Sequence, residues 1–329
     1  MDVILANNNR KDVAILNKYC NIIFDLNKTK EFSIQVARSN YLPEMSFDSF
    51  VYVQNEEYGG IIKNVITSTE LDYVELKGKT CRGMLNTKII QPEPGESYVI
   101  KSGDVYDIMR ELVDNEYDGY IRVISGHIGI YVDRFKFNRY CTLLEGITKL
   151  LLSVGYKPII KVIRNNGELP YFEISAEEIV DFSGKLEFTN DSNINFTMDD
   201  NRGGINHLIG LGEGELEQRM IVHKYVDQYG NITNYQHFFG VDEVAETYNY
   251  SSGDTETFEH DVEEKLLEMI VKPTMSMDVV HLNPISKIGD IVGGKDYLTG
   301  LKDAKKIENI IFSIEDEIES IDYELEGEE

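Results

Sequence analysis

His207, His223 and His237 are the side chains of this chain best suited to ligating a metal or moving a proton near neutral pH. Each falls on a separate strand candidate. Their spacing matches neither His-x-x-x-His nor a facial triad, so they read as structural histidines with satisfied hydrogen bonds. Asp199-Asp200-Asn201-Arg202-Gly203-Gly204 pairs two carboxylates beside a flexible turn, the equipment of a glycosidase acid and base. In so acidic a chain such turns are common. Gly210-Leu211-Gly212-Glu213-Gly214-Glu215 is glycine-rich enough to cradle a phosphate, but its two glutamates would repel one and no Lys-Ser or Lys-Thr pair follows. A hairpin or bulge with positive φ is the better reading. Cys20, Cys81 and Cys141 are odd in number and widely spaced, with no C-x-x-C, which predicts reduced core thiols. The sequence holds no G-x-S-x-G and no H-E-x-x-H. The expectation is a protein that is not an enzyme, with no catalytic, cofactor-binding or metal-binding residues.

The bulk properties narrow the class further. A net charge of −26 over 329 residues opposes a general grip on nucleic acid or docking on anionic lipid, because phosphates need Lys and Arg to displace their counterions. Spread over the surface, it keeps the protein soluble. Hydrophobic residues make up 42% of the chain, enough for ordinary cores, and the length predicts two or three domains. No eighteen apolar residues stand together and no basic start precedes an apolar run, so the chain is expected to be made in a cytoplasm, without export signal or membrane span.

The elements that must position these residues are set by an internal repeat. Val51-Tyr52-Val53, a turn over 54–60, Lys63-Asn64-Val65-Ile66-Thr67-Ser68 and Leu71-Asp72-Tyr73-Val74-Glu75-Leu76-Lys77-Gly78 form one copy. Ile291-Val292, a Gly293-Gly294 break, Glu308-Asn309-Ile310-Ile311-Phe312-Ser313, an acidic loop and Ile321-Asp322-Tyr323-Glu324-Leu325-Glu326-Gly327 form the other. The shared skeleton is strand, glycine turn, Asn-apolar-apolar-x-Ser strand, loop and apolar-Asp-Tyr strand ending in glycine.

Three segments follow in order. In residues 1–95, Asn21-Ile22-Ile23-Phe24, Phe32-x-Ile34-x-Val36, Phe50–Val53, the first repeat copy and Thr80–Leu85 read as short strands of a small barrel or sandwich. Pro92-Glu93-Pro94-Gly95 breaks that pattern. Residues 96–177 change to helical spacing: Val105, Ile108, Met109, Leu112 and Val113 share a face, with Ser102 as N-cap and Asp104 at the positive end of the dipole. A second helix carries Leu143, Ile147, Leu150, Leu151 and Val154 and stops at Gly155. Tyr120–Ile124 and Ile128–Val132 read as strands, and Ile159–Ile163 and Tyr171–Ile174 as a hairpin around Asn166-Gly167. Residues 178–329 return to strands, at Leu186–Phe188, Ile194–Phe196, Ile205–Ile209, Met220–Val222 and a hairpin around Tyr229-Gly230-Asn231. One helix there, Glu259–Ile270, turns Val262, Leu266, Met269 and Ile270 inward and ends before Pro273. The fold class is α+β, mainly β.

Four stretches, in this order and spacing, resemble the tail-hub, or baseplate-hub, proteins of tailed bacteriophages and of contractile phage-tail-like particles (bacteriocins). Glu57-Tyr58-Gly59-Gly60-Ile61-Ile62 is similar to that family's aromatic-Gly-apolar strand, and Gly78 to Leu85 to its Gly-x-x-x-x-x-x-Leu. Gly210 to Glu215 and the Gly-Asp-apolar-Val strand of Ile288-Gly289-Asp290-Ile291-Val292 complete the likeness, which spans roughly residues 20 to 325. The resemblance implies two tail-tube-like β-barrel domains, 1–95 and 178–329, with an α+β domain, 96–177, inserted between them. It implies a homotrimer that adapts a sixfold tail tube to a threefold spike or tip. The partners would be the tail tube or its distal initiator, the spike or tip protein and other baseplate proteins, with no membrane and no specific nucleic-acid binding. The protein would be made in the bacterial host's cytoplasm and assembled into the particle.

The chain stops at Glu329 without an OB-fold, needle repeats or a peptidoglycan-cleaving domain, so a spike or lytic activity is expected on another polypeptide. Two alternatives stand beside the hub. One is a tail-tip cell-wall hydrolase drawing acid and base from Asp199 and Asp200. The other is a glycan-binding tail protein, against which the absence of Trp counts, although 20 Tyr could stack on sugars. Within the hub reading, the core of the last repeat takes Ile288, Ile291 and Val292, and an excess of the carboxylates faces the trimer's channel.

Overall fold

The computed structural model describes residues 1–165, 167–183, 194–199, 203–250, 255–270, 274–279, 286–295 and 298–327. They fall in two compact units, Met1–Phe196 with Ser276–Glu329, and Thr197–Met275. Leu186–Phe188, Asp200 and Pro273, named in the sequence reading, lie outside the described residues, as does Asn166 of the hairpin turn.

Seven strands open the chain: β1 (Val3–Ala6), β2 (Asp12–Ile15), β3 (Cys20–Asp25), β4 (Glu31–Ala37), β5 (Phe50–Val53), β6 (Gly59–Thr67) and β7 (Tyr73–Thr80). A short helix, α1 (Cys81–Leu85), follows where the sequence predicts a strand. The Thr80 hydroxyl accepts the Gly83 N–H and caps that turn, and a Cβ on Gly83 would stand 2.2 Å from the Lys30 carbonyl. Local capping therefore overrides the apolar run.

Next come β8 (Ile100–Asp104), α2 (Val105–Val113), β9 (Ile121–Val123), β10 (Tyr131–Lys136), α3 (Leu143–Leu152), β11 (Tyr156–Ile163) and β12 (Tyr171–Glu178). The helical spacing holds: Val105, Ile108, Met109 and Val113 are buried on α2, and Leu143, Ile147, Leu150 and Leu151 on α3. α3 ends at Leu152 with Ser153 as C-cap, and Gly155, where the sequence places the stop, turns the chain at φ 81°. Asp104, not Ser102, caps α2, its carboxylate accepting the Tyr106 N–H, while the Ser102 hydroxyl accepts from the Arg134 backbone. The strand expected at Ile128–Val132 begins at Tyr131 instead, because Ile128 and Gly129 turn their N–H groups to the Asp104 carboxylate. β11 and β12 form the expected antiparallel hairpin, and β9 joins β12 in parallel.

The core of this segment extends into the first seven strands. Phe50 and Tyr52 of β5 pack in the same buried cluster as Val105, Met109, Ile147 and Phe172. Phe50 meets Phe172 edge-on at 5.2 Å. β5 is buried along its whole length, which is why it reads as an unbroken apolar run.

The chain then passes through β13 (Ile194–Asp199), β14 (His207–Leu211), β15 (Ile221–Val226), β16 (Ile232–Thr233), β17 (Ala245–Asn249), α4 (Thr255–Met269) and β18 (Thr274–Val279), and ends in β19 (Ile291–Lys295), β20 (Lys302–Glu315) and β21 (Ile318–Leu325). In the unit Thr197–Met275, strands order as β16-β15-β14-β17, with β14 and β17 parallel. Phe258, Val262 and Leu266 of α4 pack with Leu208 and Val226 of this sheet.

In the other unit one large sheet runs β19-β20-β3-β4-β7-β6-β5-β1-β2, with β21 also paired to β20. The two repeat copies are two meanders of this sheet, β5-β6-β7 and β19-β20-β21, each paired antiparallel in sequence order. Both carry a register break at the same place in the repeat, between Ile62 and Asn64 and between Ile307 and Asn309. Beyond the bulge the copies diverge. Instead of the acidic loop expected after Ser313, β20 runs on to Glu315 and turns over Asp316 and Glu317 alone, at φ 50° and 67°. Tyr323 consequently lies opposite Ile310, whereas Tyr73 lies at the start of β7 opposite Ala37 of β4.

The sheet is curled. β20 and β6 stand four strands apart, about 19 Å if the sheet were flat. Yet Tyr58, just before β6, stacks on Phe312 of β20 at 4.5 Å, with Phe24 and Phe32 beside them.

Candidate functional site

The four stretches that carry the resemblance are positions where side chains are buried in pairs or where only glycine fits. Glu57 and Arg82, one from each of the first two stretches, form a two-pronged ion pair at 2.6 and 3.1 Å, with Arg82 only 4% exposed. Tyr58 enters the aromatic cluster of the curled sheet, and burial pushes its phenol pKa up. Gly60 and Gly78 lie under the Phe32 ring and close against the paired backbone: a Cβ on Gly60 would stand 2.4 Å from Phe32 Cε1, and one on Gly78 2.0 Å from the Ile61 carbonyl oxygen and 2.7 Å from Phe32 Cε1. An aromatic side chain thus fills the space that two glycines vacate.

In the third stretch, Gly210 and Gly212 give room to α4, since a Cβ on Gly210 would meet Val262 Cγ2 at 2.4 Å and one on Gly212 would meet Phe258 at 3.1 Å. Gly214 takes the positive φ expected of a turn in this stretch, at 104°, between the antiparallel strands β14 and β15. In the fourth, Gly289 has φ 97° and packs against the Lys157 stem, and Asp290 is buried in an ion pair with Lys157. Asp290 also accepts the Val180 and Lys287 N–H groups, and Lys157 donates a second bond to the Glu178 carbonyl. Ile288 and Val292 are buried there, but Ile291 is only half-buried, so the expected core position at Ile291 belongs to Val292. Strand alternation about the buried Asp290 decides it.

The chemically suggestive residues are placed as follows. His207 and His223 come together across β14 and β15, Nε2 to Nδ1 at 2.9 Å, and His207 Nδ1 meets Glu243 Oε1 at 2.7 Å. The sequence offers no signal for this pair, because cross-strand register and not local spacing creates it. His237 is apart from them, in the loop after β16. Asp199 lies on β13, and its expected partner Asp200 is outside the described residues.

All three cysteines are buried and free; burial pushes the Cys20 thiol up to about 12 and raises Cys81 and Cys141, which keeps them unreactive thiols. Among the described residues Asp104, Asp107 and His127 are grouped closely enough to hold a cation. Asp104 is already committed to three backbone N–H groups, and Asp107 to Arg110 and His127. A neighbouring guanidinium and a helix N-terminus both disfavour a cation there. No described helix is long and apolar enough to cross a membrane.

No protein-family model and no curated protein matches the sequence. Solved structures do. A prophage MuSo2 43 kDa tail protein from Shewanella oneidensis matches with a TM-score of 0.50 at 10% identity, over 99% of this chain and 98% of that one. A tail protein from Neisseria meningitidis matches at 0.49 and 13% identity, over 98% and 95%. Prophage tail protein gp18 from Listeria monocytogenes matches at 0.45 and 14% identity, over 100% and 95%. Over nearly its full length the chain is thus similar in fold to the Shewanella prophage tail protein.

Proposed function

We propose that this protein is a structural component of a phage tail or phage-tail-like particle, and specifically its hub: a homotrimer that joins a sixfold tail tube to a threefold spike or tip at the baseplate. The observation that carries this reading is the doubled meander. β5-β6-β7 and β19-β20-β21 share strand order and bulge position within one chain, so three chains would offer six related surfaces to six tube subunits. The whole-length fold likeness to a prophage tail protein supports it. In this proposal the tube-like surfaces are the two meanders of the one curled sheet, β5-β6-β7 from segment 1–95 and β19-β20-β21 from segment 178–329, and 96–177 is the insertion between them. The tube or its initiator, the spike and other baseplate proteins are the partners, and the particle is where the protein resides.

The net charge of −26 fits the same role. A channel that passes DNA or extended protein must not hold its cargo, and carboxylates on its wall repel phosphate. In the assembled trimer the channel wall is expected to be more negative than the exterior. The reading is tested by multi-angle light scattering on the protein with its tube partner: a complex of three chains supports it, and a hexamer or a chain that never joins the tube contradicts it.

A further inference from the structure

We propose that the cavity of about 100 Å³ lined by Tyr58 and Tyr323 is a binding site for a carboxylate on a short aliphatic stem, held by the two phenol O–H groups inside and by Lys161 at the mouth. Its walls come from distant stretches of sequence. Tyr58 stands just before β6, Tyr323 on β21 and Lys161 on β11, while Leu26, Ile159, Ile288 and Ile310, all buried, give the apolar surface between them. Lys161 and Glu56 are exposed and mark the side open to solvent.

The two tyrosines are 7% and 8% exposed. Burial raises the pKa of both phenols, so each keeps its hydrogen at neutral pH and is a donor. Neither hydroxyl has a hydrogen-bond partner among the described residues, and neither is sealed in protein, so each opens on the cavity that its ring lines. The two face a common space: a charge on Tyr323 or on Glu56 disfavours one on Tyr58. Buried O–H groups demand an acceptor, and here the acceptor has to come from outside the chain.

The charges around the cavity choose among acceptors. Arg82 is matched by Glu57, Lys287 by Glu177 and the Met1 amine by Glu319. Lys161 is in no ion pair among the described residues, although Glu56 and its opposite on β12, Glu173, are near enough to feel it. An ammonium ligand would leave both phenol hydrogens without an acceptor, and a neutral carbonyl would leave Lys161 unmatched. A carboxylate answers all three, with charge-assisted bonds. Glu56 is the one unmatched group on the wall that opposes it. It lies on an exposed turn, beside Asn55 at φ 66°, from which its side chain can swing to solvent, as the buried phenols cannot. Burial also raises its pKa, which makes its charge the easier to give up. The stem of a short fatty acid or of a glutamate fits the apolar walls, so the carboxylate can come from a free acid or from a side chain of another polypeptide.

NMR on the full chain, isotope-labelled at the tyrosine Cζ and held at pH 7, tests the site. The probes are butyrate against butyramide and butylammonium, and the peptide acetyl-Gly-Glu-Gly-amide against acetyl-Gly-Gln-Gly-amide. At least one carboxylate should shift the Tyr58 and Tyr323 signals saturably and about tenfold more tightly than its amide, and the tighter of the two names the source. Tyr58→Phe and Tyr323→Phe remove an O–H that bonds nothing in the free protein, so each should melt like wild type yet bind about fivefold more weakly. Glu56→Gln removes the opposing charge and should bind more tightly. No saturable shift with either carboxylate, an equal response to the amides, or weaker binding by Glu56→Gln would each overturn the proposal, the last because it would make the ligand a cation. If a Phe variant unfolds, the contrast between carboxylate and amide in the wild type and the Glu56→Gln comparison still decide it.

Discussion

Lys157 and Asp290, 133 positions apart in sequence, form an ion pair in which the two residues are 2% and 1% exposed. It ties β11 to the turn that leads into β19. Because both charges are out of water, removing either partner strands the other, at about 3–5 kcal/mol. Lys157→Met should therefore be strongly destabilising in urea denaturation. Adding Asp290→Asn removes the stranded charge and keeps an acceptor for the Val180 or Lys287 N–H, so the double variant should recover part of the loss. Strictly additive effects would mean that the two side chains do not interact.

Asn64 and Asn309 occupy matching places in the two meanders, yet they should respond differently to substitution. Asn309 is 2% exposed, accepts the Asn27 N–H at 2.7 Å and donates to Glu324 at 2.9 Å. Asn64 is exposed. Asn309→Ala orphans a backbone donor and should cost about 1–3 kcal/mol, while Asn64→Ala should fall within about 0.5 kcal/mol of wild type. Equal costs would show that the bulge itself, common to both, sets the requirement.

Gly210 makes room for α4. The three atoms nearest a Cβ there belong to the Val262 and Phe258 side chains, so Gly210→Ala should cost about 1–3 kcal/mol by overpacking. Trimming the obstacle with Val262→Ala should make the double variant more stable than the sum of the single effects. A penalty for Gly210→Ala that is unchanged in the Val262→Ala background would locate the strain in the backbone.

Glu56 supplies a pH dependence. Its carboxyl lines a cavity of about 100 Å³ with Tyr58, Arg82, Lys161 and Lys287. Burial raises its pKa, and Lys161 and Lys287 only partly offset that. A carboxyl raised in the folded state binds its proton more tightly there than in the unfolded chain. Its favourable contribution is present below the unfolded value and is lost as pH rises through the folded value. Glu56→Gln should then match wild type in melting temperature near pH 4 and exceed it at pH 7. A variant less stable than wild type at pH 7 would show that attraction to the two lysines outweighs burial.

Much of this fold is visible in residue order, and the misses share a physical cause. Phe32, Ile34 and Val36 alternate into the core as period two requires, and the faces of α2, α3 and α4 follow helical spacing. The bulged Asn of each meander is legible as a repeat. What local pattern cannot carry is anything decided by a distant partner. Thr80 to Leu85 looks like a strand until the Lys30 carbonyl is seen above Gly83, and Ile291 looks like core until Asp290 is known to be the buried residue. The same holds for the Glu243–His207–His223 chain, which exists only through the pairing of β14 with β15 on one side and β17 on the other. Gly60 and Gly78 are conspicuous as letters, but their reasons, the Phe32 ring and the Lys79 and Ile61 carbonyls, lie on other strands.

The central claim is that two meanders of one chain serve a sixfold neighbour through a threefold assembly. Its most direct test is an electron cryomicroscopy reconstruction of the tube end of the assembled particle, refined without imposed symmetry. The account predicts three copies of this chain in a ring, with β5-β6-β7 and β19-β20-β21 of each facing successive tube subunits. Six copies, or a ring in which only one meander of each chain meets the tube, would contradict it.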